Sequence, residues 1–184
     1  MEPRVLTTPR LRLRPPEDAD AEALSDGSTP LEVSRWTTRI PHPNPPAAVR
    51  RWIAELRAAG RPEWLIDDGA PAGMVGRAPD LGYWIAPRAQ GRGYATEAAA
   101  AVLAAAFAEG LERVETQVLL GNHGSLRVLA KLGFREVARG RRERVLATGG
   151  EVEAIDLAVT RADFRAAAPG LPLTEAARKG ICAP

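Results

Sequence analysis

Gly82-Tyr83-Trp84-Ile85-Ala86-Pro87-Arg88-Ala89-Gln90-Gly91-Arg92-Gly93-Tyr94-Ala95-Thr96-Glu97-Ala98 is the stretch from which the rest of the chain can be read. Leu81–Ala86, stopped by Pro87, reads as a strand, and the alanine-dense run Ala95–Glu109, closed by Gly110, reads as a helix. Between them Gly91 and Gly93 let the backbone take unusual dihedrals and come close to a ligand. The amides of Gln90 to Ala95 would then converge on one spot ahead of the helix. Free N–H donors and the positive end of a helix dipole make an anion site, best matched to a pyrophosphate. Taken alone, Gly91-Arg92-Gly93 suits an ordinary strand–helix turn equally well. It is neither a dinucleotide-binding fingerprint, since no third glycine follows at the required place, nor a Walker A loop, since no Gly-Lys-Ser/Thr is present.

Working outward, Leu11 and Leu13 alternate with Arg10, Arg12 and Arg14, which predicts a half-buried strand ended by Pro15-Pro16. Glu17–Leu24 reads as a short helix, and the segment from Ser25 to Pro45 reads as irregular, punctuated by Gly27 and several prolines and anchored by Trp36 and Ile40. Val49, Trp52, Ile53 and Leu56 fall at helical spacing within Pro46–Ala59. Short strands follow at Trp64–Ile66, Met74-Val75 and Leu81–Ala86. Downstream, Val114–Leu120 is a strand and Ser125–Leu132 a helix ending at Gly133. Phe134–Val145 and Glu151–Thr160 form a long hairpin around Thr148-Gly149-Gly150. Beyond about Phe164 the chain is Ala/Pro-rich and reads as a loosely held tail. This order predicts an α/β (α+β) fold, a mixed sheet with helices packed on it.

The chain has 184 residues, 45% of them hydrophobic and 26% charged, which is ordinary for one globular domain. No stretch approaches the roughly 18 apolar residues of a membrane span, and Met1–Val5 is followed by no apolar signal region. The lone Cys182 rules out an intrachain disulfide and fits a reducing cytoplasm. With only His42 and His123, no multi-histidine metal centre is expected. A net charge of +2 argues little for nucleic acid. Arg135, Arg139, Arg141, Arg142 and Arg144 form a basic run, but Glu136 and Glu143 interrupt it and no aromatic residue is interleaved for stacking. A solvated hairpin face is the plainer reading, with attraction to an acidic protein or ribosomal surface as the alternative.

Arg88-Ala89-Gln90-Gly91-Arg92-Gly93 resembles the R/Q-x-x-G-x-G/A acyl-CoA signature of the GNAT acyltransferase superfamily. Asn122-His123-Gly124-Ser125, followed by Leu132-Gly133-Phe134, is similar to the N-x-x-S…LGF segment of its RimJ/RimL-like branch, and Thr7–Arg14 resembles that branch's first strand. The resemblance implies a GNAT fold, a mostly antiparallel sheet of about seven strands flanked by about four helices. It implies a single domain over residues 1–165 and a C-terminal tail over 166–184. It also implies acetyl-CoA-dependent acylation of a primary amine, either a protein N-terminus or a small molecule, by a monomer or homodimer. A non-catalytic acyl-CoA sensor on the same fold is the alternative.

Under this resemblance the backbone of Trp84, Ile85 and Ala86 would pair with the pantetheine arm like an added strand. The loop Gln90, Gly91, Arg92, Gly93, Tyr94, Ala95 and Thr96 would hold the pyrophosphate, with Arg88 and Arg92 near phosphate and Asn122 reaching the arm from the far side. Amine acylation needs a neutral amine, a donor for the carbonyl oxygen and a proton for the leaving thiolate. Ser125 matches the serine that RimJ/RimL-like enzymes place near the CoA sulfur; read by itself it is a first-turn helix serine. Many other GNAT enzymes carry a tyrosine three residues before the LGF leucine, where this chain has Leu129. Asp80 and Glu153 are the candidate bases, and Asp80 could instead contact substrate or serve a turn. Trp36, Arg39 and His42 could line the acceptor site, with Trp52 read as core. Glu97 is read as structural, a carboxylate at the helix dipole.

Overall fold

A computed structural model describes residues 4–77 and 80–171. Pro79, Cys182 and the expected tail beyond Leu171 lie outside the described residues. In chain order the elements are β1 (Leu6–Thr7), β2 (Arg12–Arg14), α1 (Ala21–Ser28), α2 (Leu31–Ser34), α3 (Pro46–Ala58), β3 (Glu63–Asp67), β4 (Pro71–Arg77) and β5 (Leu81–Ile85). Then come α4 (Tyr94–Ala108), β6 (Arg113–Leu119), α5 (His123–Lys131), β7 (Arg135–Arg144), β8 (Glu151–Thr160) and α6 (Arg161–Ala167).

The strands form two sheets, β1-β2-β3-β4-β5 and β6-β8-β7. Every ladder among the described residues is antiparallel, in keeping with the mostly antiparallel sheet expected, and the ladders fall into two sheets that part between β5 and β6. Near the start of β5 the Thr116 hydroxyl donates to the Leu81 carbonyl at 2.7 Å. Above that point the two edges diverge.

Helix α4 backs the first sheet and explains its own composition. Thr96 through Phe107 are all buried, and this all-round burial suits a helix made largely of alanine, whose small side chains let backbones approach. The opposite face of the first sheet is covered by α1 and α3 through Ala21, Leu24, Val49, Ile53, Leu65 and Met74. The helical stripe read from α3 is therefore a core stripe, with Trp52 packed at its margin.

Two segments are more ordered than the sequence implies. Gly27 is not a loop glycine but a helical one. A Cβ there would lie 3.0 Å from the Ala86 Cβ and 3.2 Å from the Trp84 ring, so its lack of a side chain lets α1 dock on β5. Past residue 165 the chain also stays packed. Thr160 caps α6 by accepting the Asp163 amide at 3.1 Å. Phe164 is fully buried with its ring 5.4 Å from that of Phe107, and Leu171 is buried as well. Burying a side chain of that size stabilises by about 1.5–3 kcal/mol, enough to hold a seven-residue helix.

The basic run on β7 is a solvated edge, as the plainer reading has it. Arg139 pairs with Glu136, Arg142 with Glu151 and Arg135 with Asp163, and the strand carries two register shifts.

Candidate active site

Along β5 the alternation of an antiparallel ladder decides which backbone groups are committed. The Ala86 amide donates to Ala72 at 2.8 Å, which assigns Trp84 and Gly82, two and four residues back, to the same β4-facing set. Leu81, Tyr83 and Ile85 turn their N–H and C=O toward the parted edge. Trp84 and Ala86, expected from the sequence to meet an added strand, thus have their amides on β4. The Gln90 side-chain amide reaches back to the Ile85 carbonyl at 3.0 Å.

Across the gap stands the start of α5. Asn122 caps it, accepting the Ser125 amide at 3.1 Å, so its side-chain oxygen has a structural task. The Ser125 hydroxyl lies 2.9 Å from the Tyr83 hydroxyl, and either can donate. The pair joins β5 to α5 over the open edge. Burial pushes the Tyr83 phenol up to about 12, against the opposing effect of its bond with Ser125, so the phenol keeps its proton at neutral pH. His123 is an exposed side chain in the first turn of α5.

At the other end of the gap is the glycine loop. Gly91 and Gly93 have φ of +74° and +79°, a left-handed region that other residues adopt only at a cost. The loop thereby turns into α4, whose first N–H groups have no partner within the helix. A cleft of about 470 Å³ opens here, lined by Gly93 and Thr96 and by two cations, Arg10 and Lys131. Glu97 is fully buried one turn in. It accepts from the Thr8 hydroxyl, from the Arg10 amide at 3.0 Å and from the Arg10 guanidinium at 2.7 Å. A second Arg10 nitrogen donates to the Arg92 carbonyl at 2.9 Å, so Glu97 positions the cation that also pins the loop. Arg88 is engaged elsewhere. It grips Asp68 with both terminal nitrogens and bonds the carbonyls of Ala70 and Pro71, which holds the Asp68 carboxyl below its ordinary range. The Arg92 side chain points to the same Asp68 at 3.8 Å.

Trp36 packs over Leu119, Val145 and Ala154 on the outward face of the second sheet, with its ring beside Gly121. Arg39 and His42 are exposed on the following loop, and His42 is tethered to the Thr29 carbonyl at 2.6 Å. The outward face continues into a cleft of about 300 Å³ lined by Asp80, Glu115, Asp156 and Arg141. Arg141 bridges Gln117 at 2.7 Å and Asp156 at 2.8 Å. Of the two carboxylates read from the sequence, Asp80 is in this cleft. Glu153 stands at an odd position of β8, on the face of Ile155 and Leu157, and Asp156 takes the even face.

Residues 10–135 match the model of the acetyltransferase (GNAT) domain, about two-thirds of the chain. The chain belongs to the GNAT acetyltransferase family. Within it, this acetyltransferase is 29% identical over 148 residues to "Putative ribosomal N-acetyltransferase YdaF" of Bacillus subtilis, spanning 71% of this chain and 80% of that one. It superposes on Mycobacterium smegmatis RimJ in complex with CoA-disulfide with a TM-score of 0.72 at 27% identity, over 98% of this chain and 96% of that one. It shares its fold with RimL, ribosomal L7/L12 alpha-N-protein acetyltransferase, at a TM-score of 0.71 and 17% identity, over 85% and 98% of the chains. The RimJ/RimL-like branch read from the two motifs is thus supported by relatives of that branch. Four residues of the candidate site were not singled out by motif: Tyr83, Arg10, Lys131 and Asp156. Tyr83 lies in Gly82-Tyr83-Trp84, and strand alternation from Leu81 turns its backbone to the gap.

Proposed function

We propose that this chain is an acetyl-CoA-dependent N-acetyltransferase that acetylates the N-terminal amine of a protein. The observation that carries the reading is the Tyr83–Ser125 hydroxyl pair at 2.9 Å, set on the parted edge between β5 and α5. The glycine loop and cations of the same gap fit the donor. Arg10, Lys131 and the leading amides of α4 would hold its phosphates, and the gap-facing groups of Tyr83 and Ile85 would hold its pantetheine arm. When bound, acetyl-CoA supplies an activated acetyl carbonyl.

The residues then divide the proton traffic. Asp80, with Asp156 beside it in the cleft, takes a proton from the acceptor ammonium so that the nitrogen lone pair is free. As the new C–N bond forms and the C–S bond breaks, the Ser125 hydroxyl gives its proton to the sulfur. Tyr83, which burial keeps protonated, replaces that proton through the hydrogen bond and regains one from solvent, while the second proton of the attacking nitrogen leaves to solvent through the Asp80 cleft, so that a neutral amide and a free thiol result. No enzyme nucleophile is needed, so holding donor and acceptor together supplies much of the rate. A protein acceptor is favoured by the similarity to YdaF, described as a ribosomal N-acetyltransferase.

The test is thiol release from acetyl-CoA in the presence of short peptides with free or blocked N-termini. Release that requires the free amine supports the reading. Tight acetyl-CoA binding with no release by any free-amine peptide would overturn it.

A further inference from the structure

Glu63 has no part in the chemistry above, yet its setting is unusual. It pairs with Gly76 across β3/β4, and Gly76 pairs with Gly82 across β4/β5, so the three share one row. Their face is that of Leu65, Met74 and Trp84, the face covered by α1 and α3. One row further on, Gly76 is buried beneath the Glu63 side chain, and only Gly82 on β5 is left exposed. A Cβ on Gly76 would come within 2.5 Å of the Glu63 Cγ, so the Glu63 side chain lies flat over that glycine. A Cβ on exposed Gly82 would meet nothing within 4 Å. The result is a trough on the sheet with a carboxylate along one side and β5, the strand that carries Tyr83, as its far edge.

The carboxylate is not satisfied there. Its Oε1 is buried without a hydrogen-bond partner, as is the Nε of neighbouring Arg61. Arg39 and Arg61 are the cations that act on Glu63, and neither closes an ion pair with it among the described residues. Burial holds its carboxyl above the ordinary range in spite of them. A buried acceptor without a donor is costly, and turning the carboxylate toward a group with N–H donors placed in the trough would remove that cost.

We propose that the Gly76–Gly82 trough is the acceptor's entry subsite and that Glu63 is the counter-charge that binds its ammonium group before transfer. The inference rests on the acetyltransferase reading and adds a specificity-determining residue to it. Glu63 is a binding group, and Asp80 with Ser125 remain the proton carriers.

Two variants test this, with a free-amine alanyl hexapeptide as probe. Glu63→Gln keeps shape and removes charge. Gly82→Val fills the trough at a position whose Cβ space is open. Both should raise the KM for the peptide on the order of tenfold to a hundredfold. Turnover at saturating peptide should stay within about twofold, since only binding is touched. Affinity for acetyl-CoA should not change. Peptide KM values equal to wild type in both variants would overturn the inference alone. A wild type that binds acetyl-CoA but does not acetylate the peptide would overturn the peptide reading, and this inference with it. Equal losses in acetyl-CoA affinity and peptide KM would mean that the row supports the sheet rather than the acceptor, and would also refute the proposal.

Discussion

Replacing Glu97 with alanine removes the acceptor for the Thr8 hydroxyl, the Arg10 amide and the Arg10 guanidinium, the last also a 2.6 Å ion pair, from a position with no solvent access. Breaking a fully buried ion pair from one side costs about 3–5 kcal/mol. Here the Arg10 side chain is 48% exposed and can take water in exchange, and the Thr8 hydroxyl keeps the Leu11 carbonyl within reach at 3.3 Å. Alanine also recovers a few tenths of a kcal/mol in helix propensity. The expected cost is therefore about 2–4 kcal/mol. At roughly 2–4 °C per kcal/mol for a chain of this size, Tm should fall by about 5–15 °C. Urea unfolding followed by circular dichroism reads the stability directly. Acetyl-CoA titration should show weaker binding as well, because Arg10 also fastens the Arg92 carbonyl of the glycine loop. Glu97→Gln, which keeps an acceptor, should lose less than alanine. A Glu97→Ala protein within about 0.5 kcal/mol of wild type, the range of an ordinary surface change, would refute the argument that this carboxylate joins the N-terminal strand to the loop.

Gly91→Glu should abolish measurable acetyl-CoA binding in calorimetry while costing only about 1–2 kcal/mol of stability from its left-handed φ; unchanged affinity would sink the loop assignment, since a Cβ there meets nothing that would otherwise explain a loss. Ser125→Ala should lower kcat by about 100-fold or more with little change in acetyl-CoA affinity, and Tyr83→Phe should lower it less; a Tyr83→Phe enzyme with wild-type turnover over pH 6–9 would remove the phenol from the proton path. At Asp20, burial pushes the carboxyl up, but hydrogen bonds from Arg14 and the Glu17 amide more than reverse this, and the pKa ends below the ordinary value. A depressed carboxylate stabilises the fold above its unfolded pKa of about 4, and that contribution is lost as pH falls below it. Asp20→Asn should therefore lower stability at pH 7 and flatten the loss of stability as pH falls below about 4, as read by urea melts at each pH.

What the sequence made legible was local, and what it hid was distant. The strand–loop–helix of Gly82–Ala98 announces itself because glycine dihedrals, a proline stop and an alanine helix all act within a few residues. Asn122 as a cap, Gly133 as a stop and the α3 stripe are of the same kind. The Tyr83–Ser125 bond spans 42 positions and depends on how two sheets part, which no local pattern encodes. Glu153 against Asp156 is a matter of strand register, where an odd count rather than an even one exchanges sheet faces. Arg88 looked free because its partner Asp68 lies 20 residues away across a hairpin. The tail was read from its Ala/Pro composition, which obscured the burial of Ala168 and Leu171.

Among the described residues, the two sheets are held together near the gap by the Thr116–Leu81 hydrogen bond and by the helices behind them, not by a ladder. A ladder would fix the spacing of β5 and β6 at about 4.8 Å whatever the side chains. Here the spacing follows the volume of the residues wedged at the back, chiefly the alanines from Ala98 to Ala106. Adding or removing a methyl group there acts as an adjusting screw on the width of a slot it never touches. Selection, or an engineer, could thus tune the grip on an acyl donor from the dry side of α4, without altering any residue that meets the ligand.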